Sequence, residues 1–495
     1  MSKLDPILTR LDPEAGILIG GQWRRGSRSF DVDNPADKTI LARVADGDKT
    51  QALAAVSAAV AAAAGWRDTS PRSRSEILYR TFEAMRRDAD EFVALICAEN
   101  GKSEADARAE VGYAAEFFRW FAEEAVRTGG QYGEAPAGGV RTVVTHRPVG
   151  VAALITPWNF PAAMATRKLA PALAAGCTVV LKPAAETPLT ALAVARALEA
   201  AGLPDGVVNV VPTTDPAEVV TTWMESPQVR KVSFTGSTGV GRHLLRQASE
   251  RIVNASMELG GNAPFVVAAD ADLEAAVDGA MIAKFRGGGQ ACTAANRIYV
   301  HDSRAFDFTA MLAARVRALR VGPGTDARSE IGPLISSRAV ENVQGLVDDA
   351  LSRGARIAAV AEIPDNLSGY FYAPTVLGDV APDAAAVQNE IFAPVAPVVT
   401  WNDESELLDM VNGPEMGLAA YIYSRDLKWA MQIGERVDAG MVALNRGLVS
   451  DPSAPFGGLK QSGLGREGAR EGLAEYQETQ YLSIDWSPVE RAVST

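Results

Sequence analysis

Cys292 stands in Arg286-Gly-Gly-Gly-Gln-Ala-Cys-Thr-Ala-Ala-Asn-Arg297. Three glycines ahead of a cysteine let the backbone approach a ligand closely and leave amide N–H groups unobstructed. A free thiol titrates at about 8.5, and exposed backbone donors or a helix start favour the nucleophilic thiolate. Read alone, the segment also fits a buried cysteine in a tight turn. Glu258 lies in Ser256-Met-Glu-Leu-Gly-Gly261, at the end of an apolar stretch. Burial there would raise its pKa toward that of a general base; a helix cap or surface ion pair is the structural alternative. Asn159 follows Thr156-Pro-Trp158, where a side-chain amide can donate to a developing oxyanion or simply close a turn. Phe234-Thr-Gly-Ser-Thr-Gly-Val-Gly241 is a Gly-rich turn whose N–H groups suit a phosphate, although its spacing departs from G-x-G-x-x-G. Lys182, after the apolar residues 178–181, could reach a ribose or phosphate oxygen or stand in solvent.

These groups can meet only if strand ends bring them together. From Gly150 onward, short apolar runs alternate with helical patterns: strands at 151–155, 177–181, 207–211 and 232–234, with helices at 161–176, 187–201 and near 217–225. Pro161 suits a first helical position. A second series begins after Gly261, with strands at 264–267 and 297–300, a helix over 273–285, and similar units to about residue 445. Such alternation predicts α/β domains with parallel sheets, whose ligands bind at the carboxyl ends of the strands. Residues 48–127 read as helical, with 52–64 an alanine-rich, exposed or half-buried helix. A turn-rich stretch at 128–139, a strand at 140–147 and an extended tail at 475–486 suggest a small β-ribbon leaving the main body.

Composition narrows the function classes. The chain has 495 residues, 47% hydrophobic and 22% charged, which excludes a disordered or collagen-like protein. With 61 acidic against 48 basic residues and a net charge of −13, no nucleic acid or anionic membrane is expected as a partner. Three cysteines exclude a disulfide framework and fit a reducing, cytoplasmic location. His146, His243 and His301 show no metal-ligand spacing, so no metal is expected. The N-terminal residues lack the apolar run of a secretory signal.

The motifs together are more specific than any one of them. Pro157-Trp-Asn-Phe-Pro161, Leu181-Lys-Pro183, Phe234-Thr-Gly-Ser-Thr238, Met257-Glu-Leu-Gly-Gly-Asn262 and Gly289-Gln-Ala-Cys292 occur in the order and spacing of the NAD(P)-dependent aldehyde dehydrogenase superfamily. So do Asn389-Glu-Ile-Phe-Ala-Pro394 and Pro455-Phe-Gly-Gly-Leu-Lys-Gln-Ser-Gly-Leu-Gly-Arg-Glu467. The resemblance runs from about Gly20 to Tyr481. Trp158-Asn-Phe-Pro-Ala-Ala-Met-Ala-Thr-Arg-Lys168 and Lys284-Phe-Arg286 make the chain most similar to the succinate-semialdehyde dehydrogenases.

That resemblance implies a Rossmann-like cofactor domain (1–126 and 149–257), a catalytic domain (258–445), an oligomerisation element (127–148 and 475–495) and a return segment near the active site (446–474). It implies Cys292 as the nucleophile, Asn159 and the Cys292 N–H as oxyanion donors, and Glu258 as the base that activates water. Glu390 would hold the nicotinamide ribose with Phe392 nearby. Ile155, Thr156, Pro157, Trp158, Lys182, Ala184, Ala185, Thr235, Gly236, Ser237, Val240 and Leu259 would line the cofactor path. Ala185 occupies the position where NAD-preferring members carry Glu, so NADP is favoured ahead of NAD, with Glu186 able to restore NAD. Arg167, Arg286 and Ser450 would bind a substrate carboxylate; an internal ion pair is the alternative for Arg286. A homodimer or homotetramer is expected.

Several positions depart from the pattern. Gly287-Gly288-Gly289 would loosen the loop before the nucleophile, and Ala294 replaces a second cysteine, removing a disulfide switch. Arg446 adds an arginine that would suit a more anionic tail, such as a sulfonate or a longer dicarboxylic semialdehyde. Residues 211–216 lack the usual glycines near the adenine, and Ala393 replaces a glycine. The rival activities are a general aldehyde dehydrogenase, a CoA-acylating enzyme, which Glu258 argues against, and a catalytically silent NAD(P)-binding protein.

Overall fold

A computed structural model describes residues 4–127 and 129–487. Expectations that fall on residues 1–3, 128 and 488–495, including the end of the expected oligomerisation element, lie outside them.

The helical block divides into Lys49–Asp68, Pro71–Arg87, Ala89–Glu99 and Glu104–Ala125. Asp48 and Gln51 form a capping box at the first of these. Its alanine-rich stretch buries Ala52, Ala55, Val56 and Ala59 against Val151, Val180 and Trp223, so one face of the helix is core.

The alternating series folds into an eight-stranded sheet. Its parallel centre runs, in spatial order, Val208–Val210, Thr178–Lys182, Val151–Ile155, Val229–Thr235 and Asn254–Glu258. The first strand in sequence is central and the later ones spread to both sides. The chain therefore reverses direction between Val151–Ile155 and Val229–Thr235, the switch point at which such sheets open a ligand crevice. Lys182 is the last residue of its strand rather than the residue after it. Gly176, at φ 94°, stops the helix Pro161–Ala175 in the left-handed conformation glycine favours.

The second series forms a seven-stranded sheet with Ala263–Val267 and Ala295–His301 at its centre. The expected helix over 273–285 is α-helical only at Leu273–Ala280, and Met281–Phe285 forms a π-turn. Apolar spacing over five residues does not distinguish these two repeats. The α/β class expected from the alternating pattern is the class that forms.

The ribbon is three-stranded. Val140–Pro148 pairs with Gln477–Asp485 on one side and with Gln131–Glu134 on the other. The last of these lies inside the stretch read as turns, because a strand containing Gly133 and flanked by glycines carries a weak local signal. Gly463–Leu464 returns to pair with Met257 and Glu258 at the edge of the first sheet. Among the described residues no helix is long and apolar enough to cross a membrane.

Candidate active site

The two sheets present their strand ends to one another. Val151–Ile155 runs into the Thr156–Asn159 turn, and Val229–Thr235 runs into Gly236 and the helix Thr238–Ser249. Between them and the Cys292 turn lies a cleft of about 220 Å³. Its walls include Pro157, Trp158, Asn159, Thr235, Gly236, Ser237, Leu259, Cys292, Glu390 and Phe392. Of the expected site residues, Ile155, Thr156, Lys182, Ala184, Ala185, Val240, Arg167, Arg286 and Ser450 lie outside that wall, as does Glu258.

Glycine is required where the chains cross. A Cβ on Gly261 would sit 2.0 Å from the Cys292 carbonyl oxygen, and one on Gly260 would sit 2.9 Å from Glu390 Oε2. The Met257-Glu-Leu-Gly-Gly261 turn can therefore lie directly against the nucleophile turn. Asn159 Nδ2 donates to the Gln290 carbonyl at 3.0 Å, linking the two loops. Gly287, Gly288 and Gly289 are buried at φ +60°, +65° and +73°. The Gly287 N–H donates to Asp106 Oδ2 at 2.8 Å, so this loop is held at its first glycine.

Cys292 is half-buried. Burial pushes its thiol up to about 12, Glu390 and Glu258 add to that, and Arg167 opposes it. The Cys292 N–H favours the thiolate, as the sequence leads one to expect, but desolvation outweighs it. Glu258 is 3% exposed, and neither carboxylate oxygen has a hydrogen-bond partner. Burial, then the charge of Glu467, holds its carboxyl well above the ordinary range, with Lys168, Arg167 and Arg466 opposing. Such a carboxyl is a stronger base, once ionised, than an ordinary glutamate.

Glu390 Oε1 accepts from the Gly261 N–H at 3.0 Å, and burial raises this carboxyl to about 7. Phe392, at φ 52°, meets Trp158 edge-on with ring centroids 5.5 Å apart. Lys182 is buried; its carbonyl accepts from the Thr156 N–H, while its Nζ makes no hydrogen bond or ion pair among the described residues. Burial lowers its ammonium to about 8, against the pull of Glu186. Thr235 Oγ1 and Thr238 Oγ1 are buried without partners. A Cβ on Gly236 would strike the Phe234 ring at 2.4 Å. An unpaired cation, two unpartnered hydroxyls and a helix N-terminus together suit an anionic, hydroxyl-bearing ligand.

The two expected substrate arginines differ. Arg167 is 2% exposed, donates to Tyr113 Oη, approaches Glu467 at 3.6 Å and lies 4.0 Å over the Phe456 ring. Arg286 is half-buried, lies 5.4 Å over the Phe160 ring, and has no hydrogen bond or ion pair among the described residues. Ser450 is half-buried and Arg446 exposed.

Several residues near the site were given no role by the sequence. Lys168 Nζ donates to Glu467 Oε1 at 2.6 Å and to Ser233 Oγ at 2.9 Å, beneath Glu258. Lys284, fully buried on the π-turn, donates to Asn296 Oδ1 at 2.9 Å, and burial lowers it to about 7 while Glu390 opposes. Lys102 and Glu110 form a buried pair behind Asn159. A helix-face lysine carries no local signal that it will be buried.

Residues 23–482 match the aldehyde dehydrogenase family. The chain is 51% identical to a succinate-semialdehyde dehydrogenase of Paenarthrobacter nicotinovorans, over 90% of this chain and 99% of that one. It is 44% identical to a glutarate-semialdehyde dehydrogenase of Pseudomonas putida, over 94% and 97% of the two chains. Among solved structures, an E. coli NADP-dependent enzyme superposes with a TM-score of 0.94 at 43% identity, covering 96% of this chain and 99% of that one. The chain belongs to the aldehyde dehydrogenase family.

Proposed function

We propose that this enzyme oxidises a semialdehyde with an anionic tail, succinate semialdehyde first, to the carboxylic acid, with NADP or NAD as cofactor. The observation that carries the substrate class is Arg286, a half-buried guanidinium left without a counter-ion beside the loop that ends at Cys292. A carboxylate would complete it with a charge-assisted pair. The two relatives above, a succinate- and a glutarate-semialdehyde dehydrogenase, support the same class.

In this reading the Cys292 thiol gives up its proton to solvent as Sγ adds to the aldehyde carbon, and the resulting oxyanion accepts from Asn159 Nδ2 and the Cys292 N–H. One Asn159 N–H is held by the Gln290 carbonyl, and the second N–H of the same amide is the one that meets the oxyanion. The bound nicotinamide supplies the hydride acceptor. Glu258 then takes a proton from the water that attacks the thioester on Cys292, releasing the acid and restoring the thiol. A carboxylate without hydrogen-bond partners is free to do this. Its presence supports hydrolysis over transfer to CoA.

Glu390 would hold the nicotinamide ribose, with Phe392 and Trp158 shaping that end of the cleft. Lys182 and the Thr235–Ser237 turn would hold the phosphate and ribose groups, and Ala185 leaves room for a 2′-phosphate. The E. coli structural relative is described as NADP-dependent, which supports NADP. Ser450 and Arg167 would complete the substrate pocket. Exposed Tyr132, Tyr481, Leu482, Ile484 and Trp486 on the ribbon support pairing with a second copy of the chain, in a cytoplasmic homodimer or homotetramer.

The test is the initial rate of NADPH and NADH formation with succinate semialdehyde against butanal. A large kcat/KM advantage for the acidic aldehyde, lost in Arg286→Ala, is expected. Equal turnover of butanal would overturn the anionic-tail pocket, and turnover surviving Cys292→Ala would overturn the mechanism.

A further inference from the structure

The segment between the helices Ala89–Glu99 and Glu104–Ala125 lies outside every motif described above, yet it touches both loops of the site. Asn100 Nδ2 donates to the Trp158 carbonyl at 3.0 Å. Lys102 Nζ donates to the Asn159 carbonyl at 2.5 Å and to Glu110 Oε2. It also lies 3.6 Å over the Phe160 ring. Glu110 Oε1 accepts from the Ala162 N–H at 2.9 Å and the Ala163 N–H at 3.3 Å, at the start of the helix Pro161–Ala175. One helical turn ahead of Glu110, Asp106 takes the Gly287 N–H of the nucleophile loop.

The Lys102 and Glu110 side chains are 3% and 0% exposed. A buried ion pair is a poor source of stability, since well-packed apolar residues of similar volume often do as well or better. What this pair supplies is direction. It fixes the carbonyl of Asn159 on one side and the N–H groups of Ala162 and Ala163 on the other. The peptide planes around Asn159 are thereby set, and with them the Cα–Cβ vector that aims its amide. An oxyanion donor tolerates an error of only about 0.5 Å or 10–20°.

We propose that Lys102 and Glu110 are positioning residues that aim the Asn159 amide at the oxyanion formed on Cys292, with Asp106 registering the nucleophile loop against the same segment. This rests on Asn159 being the oxyanion donor. The pair acts through Asn159 and touches neither substrate nor cofactor.

A double-mutant cycle tests it. Lys102→Met should lower kcat/KM for succinate semialdehyde and for butanal alike by about 10- to 100-fold. The dissociation constant of NADP should stay within about twofold, because the cofactor's contacts lie elsewhere. In an Asn159→Ala background the same change should cost less than about twofold, since there is no amide left to aim. Equal losses in both backgrounds would overturn the proposal. So would a loss confined to succinate semialdehyde, which would mean that Lys102 acts through its charge on the anionic tail. If Lys102→Met does not fold, Glu110→Gln keeps an acceptor for the Ala162 N–H while removing the charge, and the same coupling to Asn159→Ala is required of it. Wild-type kcat/KM in Asn159→Ala alone would reject the oxyanion assignment and the proposal with it. An impaired Asn159→Ala with additive losses rejects only the positioning role.

Discussion

Arg167 Nη1 lies 3.6 Å from Glu467 Oε2, and both side chains are buried. The same glutamate accepts from Lys168, so the arginine expected to meet the substrate already has a partner within the protein. Arg286 has none among the described residues. Two arginines with one expected role therefore stand in opposite electrostatic situations.

Arg167→Met should consequently cost stability as well as activity, by about 3 kcal/mol, because it leaves a buried carboxylate short of one counter-ion. Arg286→Met should change stability by no more than about 0.5 kcal/mol. It should still lower kcat/KM for succinate semialdehyde by about 10- to 100-fold, the worth of a hydrogen bond to a charged group. Urea midpoints and initial rates on both variants check this. Equal destabilisation by the two would show that Arg286 also has a structural partner.

Glu258 must be ionised to accept a proton from water, and burial together with the charge of Glu467 raises its pKa. Activity should therefore fall as pH drops through that raised pKa, placing the acid limb of the kcat profile well above the ordinary glutamate range. Glu258→Gln should remove the limb and lower kcat by about 10²- to 10⁴-fold. Glu467→Gln deletes a neighbouring negative charge and should move the limb to lower pH. A limb that stays in place in Glu467→Gln would disconnect the two carboxylates.

With its thiol pushed up to about 12, Cys292 should alkylate ever faster as pH rises to 10, without a plateau. Glu390→Gln removes a charge that raises this thiol and should shift the rate profile to lower pH; Arg167→Met should shift it the other way. Cys97 and Cys177 are buried, with thiols raised to about 12 and about 11, and should stay unlabelled in the folded protein. Iodoacetamide kinetics read by mass spectrometry settle both points.

Ala185→Glu should reverse cofactor preference. A carboxylate at this position would repel a 2′-phosphate, lowering kcat/KM for NADP by at least about tenfold, while a ribose hydroxyl gains an acceptor. The ratio of NADP to NAD rates is the measurement. An unchanged ratio would move the selecting contact to Glu186 or Lys182.

The sequence by itself determined that two α/β series would form, because short, continuous apolar runs between helical stretches are local patterns. It also marked Cys292, Glu258 and Asn159, since each follows or precedes a turn whose glycines or prolines are written in the chain. The glycines at 260 and 261 are legible for the same reason, and the structure explains them by the 2.9 Å and 2.0 Å approaches a Cβ would make. The tertiary structure alone decided which charges are buried and with what partner. Glu110 and Lys168 lie on helices and Lys102 in a short connection, where charged residues ordinarily face solvent, and only packing between distant segments removes them from water. The strand Gln131–Glu134 pairs with Val140–Pro148, whose other edge is held by Gln477–Asp485 from the far end of the chain. The same holds for the distinction between Arg167 and Arg286. Local pattern encodes backbone period and turn geometry, whereas desolvation and charge pairing depend on groups that meet only once the chain has folded.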